Sequence, residues 1–230
     1  MIESNSYIVR GNCSMTKRIG MFAALVATVM FAGGVIAETT IAGGMSSGDG
    51  DVKAGKTKSE MCQGCHGANG ISIDPASFPN LAGQYAGYIF KQVQDFQLGN
   101  RNDDTMSAMA AMVVSKQDLK DIAVYFASQK PMKGSGSSSK TGAKIYKSGN
   151  KKLGDYGACV RCHGKNGKGK GKSNSLFPII GGQQKAYLIK QLKDFKEGKR
   201  KNDPAGMMAM VAKGLTDKEI ETVSDYVSGL

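Results

Sequence analysis

Cysteine and histidine occur together in two short motifs, one in each half of the 230-residue chain. The pattern Cys-x-x-Cys-His occupies residues 62–66 and again residues 159–163, and it uses four of the five cysteines and both histidines. Two thiols three positions apart can each add to one vinyl group of a haem, and the adjacent histidine can then bind the iron from one face. The motifs therefore predict two covalently bound c-type haems. The covalent anchors would be Cys62, Cys65, Cys159 and Cys162, and the proximal iron ligands would be His66 and His163.

Other uses of paired cysteines explain these motifs less well. A four-cysteine zinc site would join pairs 97 residues apart, whereas the usual spacing is much shorter. A thioredoxin-like redox pair needs an alternating strand and helix context, and the sequence has no such pattern. Structural disulfides suit an exported protein, but they do not require a histidine after the second cysteine of each pair. Haem attachment accounts for every residue of both motifs.

The second axial ligand of each iron must come from elsewhere in the chain. Because there is no third histidine, bis-histidine ligation is excluded unless the halves exchange ligands. Methionine clusters follow each motif, at residues 106–112 and 207–210. Methionine raises the reduction potential relative to a second histidine, because its soft sulfur favours Fe(II). Most methionines in such clusters fill a core, and only one in each half can bind iron.

The N-terminal segment has the features of an export signal. Lys17 and Arg18 precede an uncharged run, residues 19–37, that ends in small residues. A basic start, an apolar stretch and a small-residue exit are typical of a secretory signal peptide. We therefore expect residues 1–37 to direct the protein to the periplasm, with Met15 as an alternative start. A run of 19 residues is also just long enough for a retained membrane anchor.

The rest of the chain repeats itself with a shift of 99 residues. Residues 78–84 (FPNLAGQ) match residues 177–183 (FPIIGGQ), and an Arg-x-Asn-Asp segment or its near equivalent follows in each half. A period of this length indicates a duplicated domain and not a solenoid. The further matches are Tyr88 with Tyr187, Lys91 with Lys190, Gln92 with Gln191, Asp95 with Asp194, Phe96 with Phe195 and Gly99 with Gly198.

Both repeats are predicted to be helical. Apolar residues at helical spacing predict a helix over 85–98, ending near Gly99, and closing helices over 116–129 and 216–228. No segment has a convincing strand pattern. The predicted domains are residues 38–130 and 143–230, joined by a flexible Gly/Ser-rich linker, residues 131–142. Each domain is small for a self-sufficient core, and a haem would supply apolar surface to bury.

Together these features resemble the dihaem cytochrome c4 family, in which two class I cytochrome c domains follow one another. The resemblance covers essentially residues 50–230. It rests on the two Cys-x-x-Cys-His motifs, the Phe-Pro-x-Leu/Ile-x-Gly-Gln segments, the Arg-x-Asn-Asp segments and the methionine clusters. It implies an all-α fold in which each domain wraps around one covalently bound haem.

The resemblance also narrows the choice of methionine. In this family the ligand typically lies seven residues before the apolar residue that opens the last helix, and counting from Leu215 gives Met208. The same count from Val114 gives Ser107, so the first half departs from the pattern by one residue. An insertion near residues 112–114 restores Met106. The expected ligands are therefore Met106, with Met109 as the alternative, and Met208.

Two prolines have an implied role beside the irons. In class I cytochromes the proline of the Phe-Pro segment offers its carbonyl to the proximal imidazole, and Pro79 and Pro178 occupy that position. Such a hydrogen bond fixes the tautomer of the ring and raises its basicity as a ligand. A rigid turn is the simpler role of a proline at this place.

Histidine and methionine would fill the two iron positions that the four haem nitrogens leave open, which argues for outer-sphere electron transfer and against an enzyme. The expected function is a periplasmic carrier of single electrons between respiratory donors and a terminal oxidase or similar acceptor. One alternative is the haem subunit of a flavocytochrome c type sulfide dehydrogenase, which has a similar two-domain layout. Another is a dihaem peroxidase, which would need one haem without a fixed sixth ligand.

Charge is distributed unevenly between the halves. Residues 38–130 hold 8 basic and 10 acidic side chains, a net charge of −2, whereas residues 131–230 hold 20 and 8, a net charge of +12. Opposite charge speeds encounter, so redox partners such as a membrane cytochrome complex and a terminal oxidase are expected to dock on the basic second domain. A solvated loop and peripheral membrane association are alternatives, and nucleic acid does not suit an exported haem protein. The lysines nearest the second motif are Lys165, Lys168, Lys170 and Lys172.

Overall fold

The computed structural model describes residues 49–136, 139–171 and 176–230. Within these ranges the chain forms helices, turns and loops and contains no strand, which confirms the predicted all-α class. The predicted signal peptide, residues 1–37, and Lys172 lie outside the described residues. In the part of the chain that is described, no helix is both long enough and apolar enough to cross a membrane.

The two halves repeat one order of helices. The first half contains α1 (Val52–Lys58), α2 (Glu60–His66), α3 (Ala86–Gln97), α4 (Asp104–Ala111) and α5 (Lys116–Ser128). The second half contains α6 (Lys140–Ser148), α7 (Val160–His163), α8 (Lys185–Glu197), α9 (Met207–Lys213) and α10 (Asp217–Ser228). Short 3-10 turns at Gly154–Gly157 and Pro204–Gly206 precede α7 and α9.

The predicted helices have the expected ends. The segment 85–98 forms α3, and Gly99 follows its last residues with a φ of 72°, a conformation that glycine adopts without strain. The closing helix α5 begins after Ser115, whose side chain accepts from the N–H of Asp118. The closing helix α10 begins with a complete capping box. These caps satisfy N–H groups that have no partner inside the helix.

Each half is built on a close crossing of its first and last helices. Helix α1 packs against α5, and α6 packs against α10. A glycine lies at each crossing, Gly55 in α1 and Gly142 in α6, and each faces a backbone carbonyl of the closing helix. The buried side chains around the first crossing include Ile89, Ile122, Ala123, Tyr125 and Phe126, and those around the second include Ile145, Tyr146, Leu188, Ile220 and Val223.

The connection between the halves differs from its prediction. Glycine and serine content predicts a linker over residues 131–142, whereas helix α6 begins at Lys140. Ser139 is its N-cap residue, and its hydroxyl accepts from the N–H of Gly142. Serine is a helix-capping residue as well as a linker residue, so composition alone placed the end of the linker too late.

The start of this connection is also held by the folded halves. The N–H of Met132 donates to the carbonyl of Ala82 at 3.3 Å, and the N–H of Gly134 donates to the carbonyl of Leu230 at 2.9 Å. Met132 is itself buried. The backbone of this part of the predicted linker is therefore hydrogen-bonded to both halves.

A buried carboxylate ties α1 to α5. Asp121 in α5 is 3% exposed, and its carboxylate accepts from the N–H of Asp51 at 2.8 Å, from Lys58 Nζ at 2.5 Å and from Gln117 Nε2 at 2.9 Å. Burial alone would raise the pKa of Asp121, but Lys58 and the two amide donors outweigh it and hold the pKa below its ordinary value. The ionised carboxylate therefore stabilises the fold.

We expect Asp121→Asn to lower the free energy of unfolding at pH 7 by about 2 kcal/mol. The pKa of Asp121 is lower in the folded than in the unfolded state, so its stabilisation is complete above about pH 5 and is lost as the pH falls. The variant should accordingly lose less stability than the parent between about pH 5 and pH 2. Denaturant unfolding across this range measures the effect. The control is Asp118→Asn, which removes another partner of Lys58 at a half-buried position. Equal acid sensitivity of the parent and the Asp121 variant would contradict the assignment.

Candidate haem sites

The four motif cysteines lie on short helical segments. Cys62 and Cys65 are in α2, Cys159 is the N-cap residue of α7, and Cys162 lies within α7. All four are free thiols and half-buried. A separation of three residues on a helix puts both side chains of a pair on one face. Each motif therefore presents two thiols and a histidine together, as covalent attachment of a haem requires.

Both motif histidines are buried and held by a proline carbonyl. His66 is 5% exposed and its Nδ1 lies 2.8 Å from the carbonyl oxygen of Pro79, while His163 is 7% exposed and its Nδ1 lies 3.0 Å from that of Pro178. A carbonyl can only accept, so Nδ1 carries the proton and Nε2 is left with its lone pair. This is the tautomer that can bind a metal through Nε2.

The protonation state of the imidazoles also suits a metal ligand. Burial lowers the pKa of His66 and of His163, and the hydrogen bonds to the proline carbonyls oppose this effect without reversing it. Both rings are therefore neutral at neutral pH. A neutral imidazole is the form that coordinates iron.

A tight loop brings each proline beside its histidine. The carbonyl of Gly70 accepts from the N–H of Leu81 at 2.7 Å, and the carbonyl of Gly167 accepts from the N–H of Ile180, also at 2.7 Å. Gly70 and Gly167 have φ values of 76° and 68°, and a Cβ at Gly167 would lie 2.5 Å from the N of Gly181. Only glycine fits this close approach, so the loop and the Phe-Pro segment are specified together.

The methionine clusters form α4 and the start of α9. Asp103 Oδ1 accepts from the N–H of Met106 at 3.1 Å, and Asp203 Oδ2 accepts from the N–H of Met208 at 2.8 Å. The aspartate and methionine are three residues apart in the first half and five in the second. The turn Pro204–Gly206 contains the additional residues.

The C-terminal ends of α4 and α9 also match Met106 with Met208. α4 ends at its C-cap Met112, six residues after Met106, and α9 ends at its C-cap Gly214, six residues after Met208. Two residues separate Met112 from the N-cap of α5, but only Leu215 separates Gly214 from the N-cap of α10. The one-residue departure of the first half therefore lies in the loop after α4.

No other methionine of one cluster matches a methionine of the other cluster. By this correspondence, the residue in α9 that matches Met109 is Val211, which has no sulfur. Met112 and Met210 are 62% and 61% exposed. Met106 and Met208 are both half-buried, and they occupy matching positions in the two halves.

Sequence reasoning gave no role to two buried arginines that join the halves. Arg101 and Arg200 are 8% and 7% exposed. Each guanidinium donates to Gln92 Oε1 and to Gln191 Oε1, at 2.7–3.0 Å. Each also donates to a tyrosine hydroxyl of the opposite half, Arg101 to Tyr187 at 3.0 Å and Arg200 to Tyr88 at 3.1 Å.

The repeat in the sequence indicates which residues form the arginine network. All of its members recur at the 99-residue shift, and residues that repeat at an interface of duplicated domains can exchange partners symmetrically. Burial raises the pKa of Tyr187, but the charges of Arg101 and Arg200 outweigh it and hold the pKa below its ordinary value. The halves are therefore joined by charge-assisted hydrogen bonds with little exposure to solvent.

The residues present fit a covalently held haem better than a bare metal ion. In the ranges that the structure describes, no three His, Cys, Asp or Glu side chains come together as a metal-ion site would require. Each half instead offers two thiols and a neutral buried imidazole with an available Nε2 lone pair. Cys62 and Cys159 also pack against the apolar cores of their halves.

Comparisons with known proteins agree with this fit. The Cytochrome c family model matches residues 52–130 and 139–230. Cytochrome c4 of Stutzerimonas stutzeri is 42% identical over 200 residues, covering 81% of this chain and 92% of that protein. The crystal structure of reduced recombinant cytochrome c4 from Pseudomonas stutzeri superposes with a TM-score of 0.71 at 41% identity, covering 79% of this chain and 99% of that one.

A relative with another name is also similar. The thiosulfate dehydrogenase electron acceptor of Thiomonas intermedia is 34% identical over 180 residues, covering 76% of this chain and 81% of that protein. The duplicated family match and the two motifs mean that the protein carries two covalently bound c-type haems. The chain belongs to the cytochrome c family and, with two tandem domains similar to those of the cytochromes c4, is a dihaem electron-transfer protein and not an enzyme.

Proposed function

We propose that this protein carries single electrons in the periplasm between respiratory donors and a terminal oxidase or a similar acceptor. The observation that carries the proposal is a matched pair of side chains in each half, a buried histidine held by a proline carbonyl and a half-buried methionine at an equivalent helix position. When bound, each haem supplies one-electron redox chemistry. The proposed thioether anchors are Cys62, Cys65, Cys159 and Cys162, and the proposed axial ligands are His66 with Met106 and His163 with Met208.

His66 with Met106, and His163 with Met208, would hold the two haem irons and would leave no iron position for a substrate. Burial of His66 and His163 would limit access of water to these ligands. The half-buried methionines are held through their backbone N–H groups by Asp103 and Asp203. Such fixed ligands suit outer-sphere transfer and do not suit peroxide turnover.

Visible spectra of the purified protein test this proposal. We expect two haems per chain by the pyridine haemochrome method, and in the oxidised protein the weak absorption band of methionine bound to Fe(III). A haem count other than two, or rapid turnover of hydrogen peroxide, would contradict it. Mass spectrometry of the exported protein tests the periplasmic location, because cleavage near residue 37 is expected.

Thiosulfate dehydrogenase is a second candidate for the electron donor. The relatives named thiosulfate dehydrogenase electron acceptor, from Thiomonas intermedia and Stutzerimonas stutzeri, are each 34% identical to this chain over most of its length. Reduction of the protein by thiosulfate in the presence of that dehydrogenase would favour this donor. A flavoprotein that co-purifies with the chain would instead favour the role of haem subunit in a sulfide dehydrogenase.

We further propose that acidic partners dock beside the second haem motif. Lys165, Lys168 and Lys170 are exposed in the loop that follows His163. The loop is held in place, because the N–H of Gly169 donates to the carbonyl of His163 at 2.8 Å. Tyr85 of the first half also holds it: its hydroxyl donates to the carbonyl of Lys168 and accepts from the N–H of Gly171. A fixed positive loop next to the redox centre favours productive encounter with a negative surface.

Replacing Lys165, Lys168 and Lys170 together with glutamine is expected to slow electron transfer to an acidic partner about tenfold at low ionic strength. The rate should also depend less steeply on salt, because three exposed charges no longer steer the encounter. Stopped-flow mixing over a range of salt concentrations measures both effects. The matched control replaces Lys53, Lys56 and Lys116, which are exposed in the first half, and an equal loss in both triple variants would contradict docking on the second domain.

A further inference from the structure

Two glutamines at matching positions each reach across to the other half. Gln84 and Gln183 immediately precede the N-cap residues of α3 and α8, and each is 5% exposed. Gln183 Oε1 accepts from the N–H of Asn80 at 2.8 Å, and its Nε2 donates to the carbonyl of Asn80 at 2.9 Å. Gln84 Oε1 accepts from the N–H of Ile179 at 3.0 Å, and its Nε2 donates to the carbonyl of Ile179 at 2.7 Å. Each side chain thus pairs with one residue of the opposite backbone through two bonds.

The residue that each glutamine holds directly follows the proline beside the opposite histidine. The peptide group between Pro79 and Asn80 therefore makes two hydrogen bonds. Its carbonyl accepts from His66 Nδ1 at 2.8 Å, and its N–H donates to Gln183 Oε1. The matching peptide of the second half lies between Pro178 and Ile179, with its carbonyl bonded to His163 and its N–H bonded to Gln84.

The two bonds of one peptide group strengthen each other. Resonance shifts electron density from nitrogen to oxygen in a peptide, and a hydrogen bond donated by the N–H increases this polarisation. The carbonyl of Pro79 is therefore a better acceptor for His66 when Gln183 is in place. A stronger bond at Nδ1 makes the imidazole a more basic ligand, which favours Fe(III) over Fe(II) and lowers the reduction potential.

We infer that Gln183 is a positioning residue for His66 and that Gln84 is a positioning residue for His163, each acting through the proline peptide of the opposite half. The inference rests on the proposed ligation of iron by these histidines. Residues at the interface between the halves would then adjust the reduction potentials of both haems. A substitution in one half changes the haem of the other half.

The test uses the intact dihaem protein and the variants Gln183→Leu and Gln84→Leu. Gln183→Leu is expected to raise the potential of the haem on His66 by about 28 mV, an approximately threefold change in the ratio of reduced to oxidised form at 59 mV per tenfold. The haem on His163 should change much less. Gln84→Leu is expected to raise the potential of the haem on His163 and to change that of the haem on His66 much less. Redox titration followed by the hyperfine-shifted NMR signals of each haem separates the two potentials.

A second readout is independent of the potentials. The chain has only two histidines, so labelling with ¹⁵N-histidine gives one Nδ1–H signal for each proximal ligand of the reduced protein. Gln183→Leu should move the Nδ1–H signal of His66 upfield, because its hydrogen bond weakens, and should leave that of His163 in place. Gln84→Leu should do the opposite.

A matched control and a conservative variant separate positioning from general loosening of the interface. Gln184 Nε2 donates to Asn80 Oδ1 at 3.2 Å, so Gln184→Leu removes a bond between the halves without touching the proline peptide. It should move neither Nδ1–H signal. Gln183→Glu keeps an oxygen that accepts from the N–H of Asn80, so it should keep the His66 signal near its parent position even if Gln183→Leu folds poorly.

Changes confined to the mutated half, or equal changes at both haems, would overturn the inference. So would a Gln183→Glu variant whose His66 signal moves as far as in Gln183→Leu. These outcomes leave the proposed function intact if the parent protein holds two haems with the spectrum of methionine ligation. A parent protein without that spectrum, or without two slowly exchanging Nδ1–H signals, would instead contradict the proposed ligands.

Discussion

Replacing Met208 with alanine is expected to lower the reduction potential of the second haem by on the order of 0.2 V. The sulfur of methionine favours Fe(II), and the water or hydroxide that would replace it favours Fe(III). Met208 is half-buried at the start of α9, and its backbone N–H donates to Asp203 Oδ2 at 2.8 Å. Spectroelectrochemical titration measures the potential, and the absorption band of methionine bound to Fe(III) should lose about half of its intensity, because one of two such bonds is removed.

Neighbouring methionines provide the controls for this prediction. Met210 is 61% exposed, and Met210→Ala should leave both the potential and the band unchanged. If Met207→Ala removes the band while Met208→Ala does not, the assignment in the second half is wrong. In the first half, Met106→Ala and Met109→Ala decide between the proposed ligand and its alternative in the same way.

Replacing Gly55 with alanine is expected to lower the free energy of unfolding by about 3 kcal/mol. A Cβ at this position would lie 2.0 Å from the carbonyl oxygen of Asp121 and 2.9 Å from Cβ of Tyr125. Because the carbonyl belongs to the backbone of α5, the helices must separate, and this loss exceeds the gain of about 1 kcal/mol from the helix propensity of alanine. Denaturant unfolding of the dihaem protein measures the change.

The second half offers a parallel test of the same crossing. A Cβ at Gly142 would lie 2.3 Å from the carbonyl oxygen of Thr222 and 2.7 Å from Cβ of Tyr226, so Gly142→Ala should be similarly destabilising. Lys53→Ala, at an exposed position of α1, is the control and should change stability by less than about 0.5 kcal/mol. A neutral Gly55→Ala would mean that α1 and α5 do not approach as closely as described.

The helices around the sites could be predicted because their signals are local. Apolar spacing over 85–98, 116–129 and 216–228 gave α3, α5 and α10 nearly to the residue, since amphipathic period and capping residues act within a few turns. The linker was harder to delimit. Ser139 is as compatible with a linker as with a helix cap, and only the contact of α6 with α10 decides that the helix starts there.

The positions of the proposed methionine ligands could be predicted only in part from the sequence. Counting from the closing helix gave Met208 but missed a methionine by one residue in the first half. In the folded chain Met106 and Met208 occupy matching positions. The backbone N–H of each donates to an aspartate, and each lies six residues before the C-cap of its helix. Residue counting from the closing helix fails in the first half because the loop after α4 is one residue longer than the loop after α9.

The cofactor and the fold class could be predicted from local patterns in the chain. The motifs at residues 62–66 and 159–163 hold their chemistry within a single turn of helix, so their spacing alone specifies two thiols and an imidazole on one side. The folded chain was needed to show that Gln84 and Gln183 pair with the backbone of the opposite half. It was also needed to show that Arg101 reaches Gln191 and that Arg200 reaches Gln92. These contacts join residues about a hundred positions apart. No local pattern encodes them, because their geometry depends on how the two complete halves pack together.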